Sequence, residues 1–196
     1  MIDVKIDIPE IDDIKSRLKG FESRSNTVLN RAINRTAKHA MTNIAKESNL
    51  KYLIKQKTVR DTLKVKNARG KNSQAQITSK GSAIPLINFD VSPIRQVKLL
   101  KSGKYSPNMY SSRVLRGSAR KGVERMFVAK NQALVRPENV SRAENKKITN
   151  WLRLALSVPQ MIGNKEVIAR IKENTADKLK QRIEHEIEFE LRRLQN

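Results

Sequence analysis

The sequence predicts an α+β fold, in which a small antiparallel sheet is packed by a long helix in the N-terminal half and a long C-terminal helix. Apolar residues recur at helical spacing near both ends of the chain, whereas residues 61–140 are rich in β-branched residues and turn formers. The charge is also uneven, because residues 51–147 hold 23 Lys and Arg against 5 Asp and Glu, or +18 of the total +22. We therefore expect an extended basic loop on the sheet and contact with a polyanion.

The length of 196 residues suits a single α+β domain spanning 1–196. We divide it into a helical region at 25–60, a β-rich basic region at 61–140 with a loop at 98–122, and a long C-terminal helix at 164–196. No apolar run approaches the roughly 18 to 20 residues that span a bilayer. We expect no membrane contact and synthesis in the cytoplasm.

The N-terminal elements follow from their periodicity. Apolar residues alternate with charged ones from Ile2 to Ile8, which predicts a strand ending at Pro9, and a short helix stopped by Gly20 should follow. From about Ser25 to Lys46 the apolar side chains fall on one helical face. A second helical piece is predicted from Leu50 to Arg60.

The middle of the chain reads as β structure with one irregular interruption. The stretches LKVKNA, AQITSKG and IPLINFDV are bounded by Gly, Asn and Pro and predict strands or extended segments. The stretch from 98 to 122 lacks periodicity, so we expect an extended basic loop or hairpin there. GVERMFVAK and QALVRPE then predict a pair of strands.

The last helix has both a start signal and a long apolar stripe. Asn164 is a suitable N-cap, and Glu166 suits the positive end of the helix. The stripe comprises Ile168, Ile171, Thr175, Leu179, Ile183, Ile187, Leu191 and Leu194. Glu184, Glu186, Glu188 and Glu190 alternate along the helix and point to different faces, so they cannot converge as a metal or acid–base cluster. We interpret them as a solvated helix face or a docking surface for a basic partner.

Catalytic chemistry finds little support in the sequence. The chain has no cysteine, and its two histidines, His39 and His185, are isolated and predicted to be ordinary surface or boundary residues. No nucleotide-binding glycine motif or nucleophile elbow occurs. We predict that the protein is not an enzyme and needs no cofactor or metal.

The candidate functional residues are cations around the predicted loop, where Tyr105 and Tyr110 lie between them. Such side chains could line a DNA channel through phosphate contacts, dock on an acidic protein, or form a merely solvated loop. They are Lys98, Lys101, Lys104, Arg113, Arg116, Arg120, Lys121, Arg125 and Lys130.

Three stretches in order along the chain resemble the minor tail protein Z family of tailed phages and prophages. They are residues 29–47 with the basic 54–68, then AQITSKGSAIPLINFDV at 75–91, and LALSVPQMI at 154–162. The resemblance implies a structural virion protein of the tail or neck, forming a ring of six subunits. That ring would join the tail tube or tail terminator to the head connector around the DNA channel.

Two other functions are compatible with the charge. A non-sequence-specific nucleic-acid-binding protein would coat DNA or RNA and would release it as the salt concentration rises. A ribosome-associated or toxin-like basic protein would leave the three stretches unexplained.

Overall fold

The computed structural model describes residues 1–6, 22–70, 73–93, 110–129, 131–135 and 152–195. The fold is α+β, as predicted, with small antiparallel sheets and two long helices. The chain forms two compact units. The helical unit comprises Met1–Ser48, Gln56–Gly81 and Pro159–Asn196, and the β-rich unit comprises Asn49–Lys55 and Ser82–Val158. The expectation of one domain over 1–196 stays a prediction.

The helical unit contains a three-stranded sheet that is apolar on one face only. Its strands are β1 (Ile2–Ile6), β2 (Leu63–Lys66) and β3 (Ala75–Ser79), with β3 in the centre. Ile77 lies opposite Val4 on one side and Val65 on the other, so these side chains share the inner face. The period-two pattern of β1 therefore predicted the buried face correctly, and the predicted continuation to Pro9 lies outside the described residues.

Two long helices complete the helical unit. Helix α1 (Glu22–Lys51) buries the apolar residues that the sequence placed on one face, and only Met41 among them is half-exposed. Small buried residues such as Ala32, Ala37 and Ala40 permit close packing on this face. The short helix predicted before Gly20 lies outside the described residues.

The chain that follows β2 is held against α1 by asparagine side chains. The Asn34 amide nitrogen donates to the carbonyl oxygen of Ala68 at 3.1 Å, and its oxygen accepts from the Ala68 backbone N–H at 2.8 Å. Asn30 donates to the Gly70 carbonyl at 2.8 Å. Asparagines on consecutive turns of α1 thus satisfy backbone groups that belong to no strand.

The prediction of one helical piece from Leu50 to Arg60 was wrong. Helix α1 continues to Lys51, residues 52–55 are not helical, and α2 covers only Gln56–Arg60. Within the β-rich unit, Leu53 N–H donates to the carbonyl of Val114 at 2.9 Å, and Tyr52 forms a β-bridge with Leu115. These long-range backbone bonds replace the bonds that a continuous helix would make.

The β-rich unit begins with strands shorter than the sequence suggested. IPLINFDV divides into β4 (Ala83–Pro85), a 3-10 helix (Leu86–Asn88) and β5 (Asp90–Ser92). Part of the predicted loop is also paired, since β6 (Ser111–Arg113) joins β5 and β7 (Lys121–Gly122). Residues 98–109 of that loop lie outside the described residues.

The predicted strand pair is confirmed. Strands β8 (Met126–Ala129) and β9 (Gln132–Val135) pair antiparallel, and Asn131 has a positive φ of 58° at the turn, as tight hairpins require. Strand β10 (Leu154–Ser157) pairs with β4 and exposes Leu154 and Leu156. Helix α3 (Val158–Ile162) follows directly.

Helix α4 (Lys165–Gln195) begins at the predicted cap, because the Asn164 side-chain oxygen accepts from the Glu166 backbone N–H at 3.2 Å. Its central apolar stripe is buried, from Ile171 to Ile187. The ends of the stripe differ, since Ile168 is half-buried, Leu191 is exposed and the Leu194 side chain lies outside the described part. None of the helices described is long and apolar enough to cross a membrane.

Candidate basic interaction surfaces

The structure describes five of the nine predicted cations, and all five lie in the β-rich unit. They are Arg113, Arg116, Arg120, Lys121 and Arg125. The other four, Lys98, Lys101, Lys104 and Lys130, lie outside the described residues.

Two of these arginines converge on one carboxylate. Arg113 lies directly opposite Asp90 in the β5–β6 pair and donates from Nε and Nη2 to Asp90 Oδ2, at 3.1 and 2.9 Å. Arg120 donates from Nε to Oδ2 at 3.2 Å and from Nη2 to Oδ1 at 2.7 Å. Each guanidinium group therefore donates hydrogen bonds to Asp90 from two nitrogens, which fixes the orientation of the guanidinium plane.

These contacts change the electrostatics of the predicted surface. The hydrogen bond from Arg120, together with that from Arg113 and the charges of both, holds the pKa of Asp90 below its usual range, although partial burial opposes this shift. The carboxylate cancels one of the two positive charges. Arg113 and Arg120 are thus paired with Asp90, and the three side chains together present a net charge of +1 to a polyanion.

The remaining described cations are exposed to solvent. Arg116 is held by its backbone N–H, which donates to the Lys51 carbonyl at 2.8 Å, and by Nε, which donates to the Asn49 carbonyl at 3.2 Å. Lys121 is exposed on β7. Arg125 is exposed and has a positive φ of 57°, a conformation uncommon outside glycine, just before β8.

Tyr110 cannot stack on a base in this conformation. It lies among the predicted cations, but its side chain is buried, with 1% exposure, in the β-rich unit. Its carbonyl accepts the Val123 N–H at 2.9 Å. Tyr110 is therefore a core residue, and Tyr105 lies outside the described residues.

The helical unit holds a second basic surface, which the sequence reasoning missed. Between Arg24 and Lys46, the exposed positions of helix α1 carry cations, two threonines and His39, with no carboxylate and no apolar residue. We call the five cations the α1 basic face: Arg24, Arg31, Arg35, Lys38 and Lys46.

Buried glutamates of α4 hold three members of the α1 basic face. Arg24 Nη1 lies 3.3 Å from Glu190 Oε1, and Arg31 Nη1 lies 3.5 Å from Glu190 Oε2. Arg35 pairs in the same way with Glu186. The glutamate side chains are only 3% and 5% exposed, whereas the three arginines are 42% to 53% exposed.

The interpretation of the four glutamates as a solvated face was therefore wrong for Glu186 and Glu190. These two are four residues apart, so they share one helix face, whereas Glu184 and Glu188 are exposed on others. Two features of the sequence could have indicated these buried ion pairs. Acidic residues lie four apart within the apolar stripe, and arginines recur at helical spacing in 24–35. Counting charge by segment concealed it, because residues 23–50 sum to only +4.

Both histidines are exposed, as predicted. Partial burial lowers the pKa of His39, and the nearby charges of Lys178 and Arg182 lower it further. Among the residues described here, no three His, Cys, Asp or Glu side chains lie together in a way that could hold a metal ion.

A comparison with protein families agrees with the resemblance seen in the sequence. The family model of the prophage minor tail protein Z (GPZ) matches residues 13–196, nearly the whole chain. No curated protein and no solved structure matched the chain. The family assigns the protein to the structural components of the phage tail and thus to the virion. The chain belongs to the prophage minor tail protein Z family.

Proposed function

We propose that the protein is a tail-completion subunit that forms a ring at the neck. The ring would contain six copies and join the tail tube or tail terminator to the head connector around the DNA channel. The observation that carries this proposal is the family match over residues 13–196. Because that family is structural, the proposed role is assembly and not catalysis.

Two features of the β-rich unit support an assembly role. Strand β10 exposes Leu154 and Leu156, at 48% and 37%, and exposed apolar side chains of this size favour contact with another protein. The exposed cations Arg116, Lys121 and Arg125 suit either an acidic neighbouring ring or the phosphates of DNA in a channel. We assign the leucines to the contact between subunits and the cations to the partner or channel.

The proposal is tested by the mass of the purified protein, measured by sedimentation velocity alone and after mixing with tails that lack it. We expect a ring-sized species, or binding of the protein at the head-proximal end of those tails in electron micrographs. A protein that stays monomeric with every neck and tail component would contradict the proposal. Salt-sensitive coating of DNA by monomers, with no ring under any condition, would favour the nucleic-acid-binding alternative.

Substitutions test which side chains are needed for assembly. Changing both Leu154 and Leu156 to Asn should prevent ring formation, whereas Leu115→Asn, at an exposed leucine of the same unit, should not. Charge reversal of the nine predicted cations should mainly impair particle completion if they meet a partner. If the protein is instead a free nucleic-acid-binding protein, the same reversal should abolish DNA binding.

A further inference from the structure

We propose that the α1 basic face binds the phosphate backbone of duplex DNA, at a site separate from the predicted basic loop. This inference rests on the helical unit alone and does not require the proposed ring. At 3.6 residues per turn, its five cations fall within about 40° of Arg24 around the helix axis, over a length of ~33 Å. Glu186 and Glu190 cancel two of the five charges, so the row offers a net charge of +3 along this length to a regular polyanion.

Three of the five cations have carboxylate partners before any ligand arrives. Arg24 and Arg35 each donate a hydrogen bond from Nη1 to a buried glutamate of α4, which restricts their rotamers, and Arg31 lies within ion-pair distance of Glu190. A guanidinium group has five N–H donors, so each arginine retains donors for a second acceptor. The buried glutamates therefore act as positioning residues for cations that remain about half-exposed.

The chemistry of this face favours phosphate over protein. Protein interfaces need apolar or aromatic residues at their centre, and the exposed positions between Arg24 and Lys46 have none. Protein–DNA interfaces are polar and positively charged, and hydroxyls such as those of Thr27 and Thr42 commonly contact phosphates. Single strands are bound through aromatic stacking, which this face does not offer, so we assign it to duplex DNA.

The test removes the two cations that hold no glutamate, so that no buried carboxylate loses its partner. The double variant Lys38→Gln and Lys46→Gln is compared with the wild-type chain for binding to a fluorescent duplex of mixed sequence, by anisotropy over a range of salt concentrations. Loss of two phosphate contacts should weaken binding ~10-fold at ~0.1 M salt and reduce the log–log salt slope by about 1.8. The affinity should not depend on the DNA sequence.

A matched control separates a local contact from general attraction. Lys172 and Lys180 are exposed on helix α4, and changing both to Gln lowers the net charge by the same amount. This control should leave the affinity nearly unchanged. Equal loss in the two double variants, or no loss in the first, would overturn the proposal.

Two further measurements distinguish other outcomes. If the Lys38 and Lys46 variant weakened binding to a poly-glutamate peptide but not to the duplex, the face would be a docking site for acidic protein, and the DNA assignment would be wrong. The mass of each sample, measured in the same buffers, reports ring formation independently. A ring that fails the DNA test leaves the proposed function standing, and a monomer that passes it supports this inference alone.

Discussion

The two units use arginine–carboxylate contacts in opposite ways. In the helical unit the carboxylates of Glu186 and Glu190 are buried and the arginines lie half in solvent. In the β-rich unit Asp90 is 23% exposed and its partners, Arg113 and Arg120, are 33% and 45% exposed. Both arrangements cancel part of the arginine charge, but removing the last arginine from a buried glutamate should be costly, whereas the half-exposed Asp90 contacts have modest energetic value.

The difference follows from what each carboxylate would face without its arginine. A buried glutamate would remain desolvated and unpaired, which proteins tolerate poorly. Asp90 would regain water at little cost. Both sites pair arginines with carboxylates. They differ in how deeply the carboxylate is buried, and this burial decides how much each arginine contributes to stability.

The largest effect should come from Arg35→Met, which keeps an apolar stem but leaves Glu186 without its partner. We expect the free energy of unfolding to fall by ~3 kcal/mol, because a buried carboxylate then lacks its counter-charge. Urea denaturation followed by circular dichroism measures this change.

Arg31→Met is the matched control for that variant. Glu190 still has Arg24, so the expected loss is below about 1 kcal/mol. Adding Glu186→Met to Arg35→Met should recover most of the lost stability, since the buried charge is gone. Equal losses of unfolding free energy in Arg35→Met and Arg31→Met would contradict this prediction. The loss in Arg35→Met would then not come from leaving a buried glutamate unpaired.

A smaller effect is expected for Asp90→Asn in the β-rich unit, with a loss of about 1 kcal/mol near neutral pH. Because the folded pKa of Asp90 is lowered, its contribution is present above the unfolded value and is lost as pH falls through the folded pKa. The stability difference between wild type and variant should therefore shrink below about pH 4.

Thermal denaturation of both proteins at several pH values measures that difference. Comparing the two proteins removes the contribution of the other carboxylates, which titrate in the same range. A difference that stays constant down to pH 2 would show that Asp90 is not held in its charged form by the two arginines.

The smallest effect concerns His39 in the helical unit. Its folded pKa is lowered, so the unfolded chain binds a proton first as pH falls below about 6.5, and stability declines from there down to the folded pKa. His39→Gln should reduce this decline slightly and should match the wild-type pH dependence above pH 7.5. A variant that declined as steeply as wild type below pH 6.5 would contradict the lowered pKa of His39.

Much of the fold could be predicted because its signals are local. Period-two alternation in β1, the strand pair of β8 and β9, and the Asn164 cap of α4 each depend on residues close together in the sequence. The break after Lys51 could not be predicted, since it depends on backbone bonds to residues 114–116 far along the chain. The same holds for Asp90, whose two arginines lie 23 and 30 residues away.

The sequence by itself determined the α+β class, the two long helices and the uneven charge, because composition and periodicity are properties of the chain alone, and three of its stretches carried the resemblance to the family. Only the tertiary structure decided which charges face solvent and which are paired. It placed Tyr110 in the core, turned Glu186 and Glu190 inward, and left the α1 basic face open. The physical reason is that burial and ion pairing depend on which elements pack together, and a linear pattern does not contain that information.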